Sequence, residues 1–245
     1  MTTTDPLIYQ RPVQRMLDEL QQESKRLELH AQIVRVFATE QDEARAAEKV
    51  WNILNPYARV ISDKLSGRAA LIKSQIARHV RGPKVLDFGC GDGKVAETMT
   101  SEGISMTTFD VDDYRIEAKS LPFDKGWATR LDEFDTALVI TVLHHCNEPD
   151  LELESLHRVA RRLVVIESVV DGDMPFEAQA VVDWIYNRGM HPGANIPVPG
   201  QFRTAEAWRV TFARHGLRVI HEDDLGVDLP VVPEHHYLFV CERNF

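Results

Sequence analysis

The run Val85-Leu86-Asp87-Phe88-Gly89-Cys90-Gly91-Asp92-Gly93 decides the architecture of this 245-residue chain. Its opening, Lys84 to Phe88, reads as a short buried strand, and the residues after Gly93 open a helix. The glycines at 89, 91 and 93 allow a tight turn and let the backbone approach a ligand without Cβ interference. Strand, glycine turn and helix in that order are the context of a nucleotide-type loop, with an ordinary strand-to-helix turn as the alternative. Two carboxylates shift the balance. Asp87 ends the first strand, and Asp110 ends the next one, Ser105 to Phe109, where an acid accepts hydrogen bonds from both ribose hydroxyls. The GxGxG spacing departs from the GxGxxG of dinucleotide loops. Asp87 and Asp92 would repel a pyrophosphate but attract an ammonium group.

Working outward, further apolar stretches at 121–123, 134–142, 163–167, 217–221 and 237–241 read as strands, with a helix over 152–160. This alternation predicts an α/β fold: a mainly parallel seven-stranded sheet with helices on both faces and a late antiparallel pair. The ligand then belongs beyond the carboxyl ends of the strands. Upstream, residues 13–37 contain no Gly or Pro and repeat apolar residues at Val13, Leu17, Leu20, Leu27, Ile33 and Phe37, the pattern of one amphipathic helix. Thr39 with Asp42 reads as the next helix start, Asn55-Pro56 as the cap of a third, and Ser66-Gly67 as the break before a fourth ending near Val80. The expected organisation is therefore a helical lid or dimerisation segment over 1–80, which could also wall the acceptor site. The sheet domain follows over 81–245, with a cap insertion near 172–203.

Composition narrows the class of partner. There are 38 acidic against 28 basic residues, a net charge of -10, which argues against nucleic acid as the main partner. Cys90, Cys146 and Cys241 form no CxxC pair and read as reduced thiols. The N-terminus lacks a basic and then apolar leader, and no apolar run reaches spanning length, so a cytoplasmic protein without a membrane partner is expected.

Val85 to Gly93 resembles the first motif of the class I S-adenosylmethionine-dependent methyltransferases, and Asp110 their ribose-binding acid. The run Phe134 to His145 is similar to their fourth-strand motif. Phe202 to Trp208, followed by Phe212 to Leu217, is similar to the helix and turn before their sixth strand. The resemblance covers roughly residues 80–243 and points to the small-molecule members. It implies a Rossmann-like sheet, S-adenosyl-L-methionine as cofactor, and a methyl group moved to oxygen or nitrogen of a small-molecule acceptor. The cofactor contacts implied are Asp87, Phe88, Gly89, Cys90, Gly91, Gly93, Asp110 and Thr141. Val111 and Phe123 stand as adenine neighbours or as sheet packing. The acid of the third strand has no clear equivalent, with Asp124 the first candidate and Asp112 or Asp113 behind it. An NAD-dependent oxidoreductase is disfavoured by GxGxG and Asp87. A cofactor-binding scaffold or regulatory protein without turnover stays open.

Methyl transfer from a sulfonium is an in-line displacement, so the protein chiefly aligns the nucleophile, and a base is needed only when the acceptor arrives protonated. His144 and His145, at the end of the fourth-strand motif, are the candidate bases, against structural or solvated histidines as the alternative. Tyr186, Asn187 and His191 belong to an aromatic and amide-rich stretch over 183–192, followed by Asn195 to Gly200. That stretch reads as a cap over the acceptor or as a packed insertion. Glu167 could orient an acceptor or bind a loop, and Arg59 or Arg68 could meet the cofactor carboxylate. No metal is expected, because His235 and His236 are isolated and Thr141 to Cys146 supplies no acid. A homodimer through the N-terminal helices is the remaining partner expectation.

Overall fold

A computed structural model of the chain describes residues 13–14, 16–17, 23–100, 103–116, 118–171, 175–191, 196–229 and 232–243. Leu20 of the first predicted helix, and Pro192 and Asn195 of the predicted cap, lie outside them. The described helices are α1 (Glu23–Thr39), α2 (Glu43–Leu54), α3 (Ala58–Leu65), α4 (Arg68–Ile76), α5 (Lys94–Thr100), α6 (Pro149–Val159), α7 (Phe176–Trp184) and α8 (Ala205–Arg214). The strands are β1 (Lys84–Phe88), β2 (Ser105–Phe109), β3 (Phe134–Ile140), β4 (Ala160–Ser168), β5 (Leu217–Gly226) and β6 (His236–Arg243).

They form one sheet of order β2-β1-β3-β4-β6-β5. The pairings β1 with β2, β1 with β3 and β3 with β4 are parallel, while β6 runs antiparallel to β4. The central strands are continuous apolar runs, Ala137 to Ile140 and Leu163 to Ile166, because helices cover both faces and leave no side for water. The alternation in the sequence thus gives the expected Rossmann-like α/β sheet, but with six strands rather than seven.

The missing strand is the one predicted at 121–123, which forms a single bridge, Phe123 to Thr108. Thr108 N–H donates to Pro122 O (2.8 Å) and Asp124 N–H to Thr108 O (2.9 Å), and the pairing stops there. Pro122 has no N–H to extend it. Arg115, 6% exposed, instead ties the segment down from within: its Nη1 donates to Ala118 O (3.2 Å), Leu121 O (2.9 Å) and Thr108 Oγ1 (3.2 Å). The same guanidinium pairs with Asp113 (2.7 Å) and lies 4.7 Å from the Phe123 ring centroid. One planar, five-donor side chain thus organises the loop that leads out of β2.

The chain divides into two compact units. The first takes the described residues of Met1–Ser66, Val169–Phe202 and Gly226–His235; the second takes Gly67–Ser168, Arg203–Leu225 and the described part of His236–Phe245. The units meet in sequence at 66/67, within the stretch read as 1–80. Helix α4 buries Ile72 and Ile76 with Val85, Leu138 and Val164, so it belongs to the sheet unit. The predicted cap belongs with the N-terminal helices, because Val181, Trp184 and Ile185 share a core with Leu29, Ile33, Val50 and Leu54. Helix α7 continues into a π-helical turn, Ile185–Gly189. A Cβ on Gly189 would stand 2.7 Å from Val50 Cγ1, so only glycine lets that turn approach α2.

Two helix signals land differently from their sequence reading. Thr39 closes α1, its Oγ1 donating to Arg35 O (2.8 Å), and Asp42 alone caps α2 by accepting from Arg45 N–H (2.9 Å). Asn55 makes no side-chain cap: residues 54–58 stay right-handed and pass through a short 3₁₀ turn into α3. Among the described residues, no helix is long and apolar enough to cross a membrane.

Candidate active site

The site in the sheet unit is built from two turns at the carboxyl edge of β1 and β3. In the first, Gly89, Gly91 and Gly93 have φ of +74°, +51° and +85°, conformations that exact a steric cost from other residues. Gly89 and Cys90 N–H both donate to Phe109 O, at 2.8 and 2.9 Å, which ties the turn to the end of β2. A Cβ at Gly89 would lie 2.2 Å from Val142 Cγ2, whereas one at Gly91 would meet no heavy atom within 4 Å. The Gly91 backbone therefore faces open space.

Asp87 sits under this turn at 2% exposure, and its Oδ2 has no hydrogen-bond partner. Burial, then the charges of Asp110 and Asp92, push its carboxyl up to about 7. A buried carboxylate without a donor is costly and calls for a cation or a proton. Asp110 is partly buried; its Oδ2 accepts Gly91 N–H (2.9 Å) and its Oδ1 accepts Val111 N–H (2.7 Å). Burial raises its pKa against those two bonds and against the charge of nearby His145. Each carboxylate oxygen retains a second lone pair, so two acceptor positions remain for a diol. Burial, then Asp87 and Asp110, pushes the Cys90 thiol up to about 12, which keeps it neutral.

The other predicted contacts sort themselves by packing. The Phe88 ring stacks on Phe109 (5.4 Å) and meets Trp127 edge-on (5.1 Å), so its side chain is core and only its backbone belongs to the turn. Val111 is exposed, and Phe123 is half-buried with one face under Arg115. Asp124 Oδ1 accepts Gly126 N–H (2.8 Å) and its carboxylate pairs with Arg130 (2.5 Å), engaging it within its own loop. Asp113 is likewise held by Arg115, and Asp112 lies exposed, 3.7 Å from Lys125.

The second turn follows β3. Thr141 has φ +50°, a strained value for a β-branched residue, costing on the order of 1–3 kcal/mol. It is held by its N–H to Ile166 O (2.6 Å) and by Arg68 Nη2 donating to its Oγ1 (3.0 Å). Leu143, His144 and His145 then make a 3₁₀ turn. Glu167, fully buried at the end of β4, accepts Val142 N–H (2.9 Å) and Leu143 N–H (2.6 Å) on Oε1, while its Oε2 lies 2.6 Å from His144 Nδ1. His144 is buried, and His145 is half-buried with its ring centroid 4.2 Å away. Of the two roles open to Glu167 from sequence, the structure shows the loop-binding one. Neither the number of donors it gathers nor their identity is written in any local pattern, although an acid closing a buried strand is itself a signal.

Of the two arginines left open, Arg68 reaches the second turn, while the Arg59 side chain is 94% exposed and lies 4.0 Å from Asp63 within α3. Tyr186 and His191 belong to the helical unit. Tyr186 is half-buried, its hydroxyl pushed upward by burial and by Glu234, and His191 is exposed. Beside them Asn187 Nδ2 donates to Asp183 Oδ1 (2.7 Å) and Asp183 O (3.0 Å), so this amide secures the π-helical turn.

Residues 54–222 match the family model described as a methyltransferase domain. The ubiquinone biosynthesis O-methyltransferase of Maricaulis maris is 29% identical over 149 residues, 52% of this chain and 58% of that protein. The protein of the same name from Psychrobacter cryohalolentis is 25% identical over 166 residues, 59% of this chain and 64% of its own. The chain thus spans less than two thirds of the length of these curated relatives. Among solved structures, the magnesium protoporphyrin IX methyltransferase of Synechocystis with bound SAH superposes with a TM-score of 0.52 at 15% identity, covering 75% of this chain and 85% of that one. The [4+2]-cyclase SpnF superposes with a TM-score of 0.51 at 14% identity, covering 71% and 79%. Likeness at that level speaks for the fold, which hosts more than one chemistry. The sequence model, however, spans more than half of the chain and includes both turns, and on that ground the chain belongs to the methyltransferase-domain family of class I, S-adenosylmethionine-dependent proteins.

Proposed function

We propose that this chain transfers a methyl group from S-adenosylmethionine to a hydroxyl oxygen or a nitrogen of a small-molecule acceptor. The observation that carries the reading is the unpartnered Oδ2 of buried Asp87 beneath a turn whose Gly91 faces open space. The residues present fit the cofactor: Asp87 for the methionine ammonium, Asp110 for the ribose hydroxyls, Arg68 for the carboxylate, and Val111 with Phe123 beside the adenine. When bound, the cofactor supplies an electrophilic methyl carbon on a sulfonium. The protein's part is to hold the acceptor in line and receive its proton, a role we give to His145 rather than to buried His144. The two curated relatives carry O-methyltransferase names, which supports oxygen over nitrogen.

Calorimetric titration with S-adenosylmethionine, S-adenosylhomocysteine and NAD(H) tests the reading. Micromolar binding of the first two and none of the third is expected. Asp110→Ala should weaken binding about 10²-fold by leaving two ribose hydroxyls unmatched. Binding of NAD(H) alone would overturn the assignment.

A further inference from the structure

The second turn contains a buried group that the proposed function does not yet use. Glu167 gathers three polar partners: the N–H groups of Val142 and Leu143 on one oxygen, and His144 Nδ1 on the other. An oxygen that takes two backbone N–H groups is an acceptor, and a carboxylate can only accept. With Glu167 as a carboxylate, Nδ1 of His144 carries the hydrogen of that contact. The two N–H groups fix the backbone one and two residues before His144, and the His144 ring, 4.2 Å from the His145 ring, fixes one face of its neighbour. His145 is the half-buried member of the pair, and its charge reaches Asp110 across from the first turn.

We propose that Glu167 is a positioning residue that holds His144 as the Nδ1–H form and so sets the turn that presents His145, and that the acceptor is accordingly a hydroxyl. The inference rests on the methyltransferase reading. A neutral amine attacks through a lone pair it already has, and sheds its proton afterwards. A hydroxyl gains from a base in the same step, and a turn this firmly fixed suits that demand. In that step the acceptor oxygen forms the new O–C bond as the S–C bond breaks. The S–C electron pair stays on sulfur, and the hydroxyl proton passes to the His145 imidazole, which later releases it to water.

The test begins with the unaltered chain, labelled with nitrogen-15. Long-range proton–nitrogen spectra should show His144 Nδ1 as a protonated ring nitrogen. In Glu167→Gln, where the amide can turn its NH₂ toward the ring, Nδ1 should become the unprotonated one. With protocatechuate as a phenolic probe, Glu167→Gln should lower kcat by about a hundredfold. Its KM and cofactor affinity should stay within about twofold. An unprotonated Nδ1 in the unaltered chain overturns the proposal and needs no variant to fold. Full kcat in Glu167→Gln overturns it too, and faster methylation of para-aminobenzoate than of protocatechuate overturns the hydroxyl assignment. If neither probe turns over, the ring-nitrogen result decides. Failure of the unaltered chain to bind S-adenosylmethionine would instead overturn the proposed function and leave the tautomer result standing.

Discussion

The turn after β1 and the turn after β3 leave adjacent parallel strands at the same edge of the sheet, yet the first is made of glycines and the second contains none. In the first, positive φ is met by residues without a Cβ, and the buried acid below it, Asp87, keeps one oxygen without a partner. In the second, positive φ falls on Thr141, and the buried acid, Glu167, has its oxygens engaged with three polar partners. The difference separates two tasks. A turn that must let a ligand touch its backbone sheds side chains and leaves a charge to be answered by that ligand. A turn that must present side chains keeps them and accepts strain, which a satisfied carboxylate then holds in place.

The contrast breaks most easily at Glu167. Glu167→Ala should destabilise the fold by about 3 kcal/mol or more, because it strips the partner from two buried N–H groups and an imidazole. A denaturant midpoint close to that of the unaltered protein would place Glu167 among ordinary surface-tolerant positions. Gly91→Ala sharpens the other side. It should cost only about 1 kcal/mol in stability, since its Cβ meets no atom. It should nevertheless weaken S-adenosylmethionine binding about 10²-fold, by filling the space a ligand needs. Loss of stability without loss of affinity would mean that the open space is not a ligand's.

Asp87→Asn should go opposite ways in the two states. Folded, burial and then the charges of Asp110 and Asp92 push the Asp87 carboxyl from its ordinary 3.8 up to about 7. The native state therefore binds more protons than the unfolded one between those values, and its stability falls as pH rises through that window. The Asn variant lacks this term, so its Tm without ligand should exceed that of the unaltered protein at pH 8 and fall below it or match it near pH 4. Its affinity for S-adenosylmethionine should drop. In the unaltered protein that affinity should climb as pH rises past about 7, as the ammonium finds a charged partner. Scanning calorimetry and titration across pH check both limbs. Arg68→Gln is expected to have the smallest effect, about tenfold on cofactor affinity with a modest loss from the Thr141 contact, since an exchangeable charge-assisted pair is removed.

The first turn was legible in the sequence because its requirements are local: glycine at set positions, an acid closing each strand, and Asp110 brought to Gly91 by parallel pairing of neighbours. The second was half legible. His144 and His145 could be placed at the strand's end, but the partner that orders them lies 23 residues from His144 on another strand, and no periodicity encodes that pairing. The seventh strand failed for the same kind of reason. Leu121 and Phe123 alternate as a strand should, and Pro122 between them was the warning, but Arg115's claim on the carbonyls of 118 and 121 is a tertiary fact. The apolar face of α4 announces burial without saying against which neighbour, and the structure packs it on the sheet.

Arg115 has one more effect, on what the sheet can do with its margins. β2 and β5 are the outermost strands of the order, and an unguarded outer strand is a template for another chain. On β5 the exposed face carries Arg218, Ile220, Glu222 and Asp224, three charges to one apolar residue, a pattern that discourages a flat hydrophobic partner. On β2 the guard is Arg115, settled against Thr108 and the carbonyls beside it. A strand trying to add there would have to dislodge a guanidinium from its acceptors and leave it buried without them. The side chain that organises the loop beyond β2 thereby also discourages an intermolecular seventh strand.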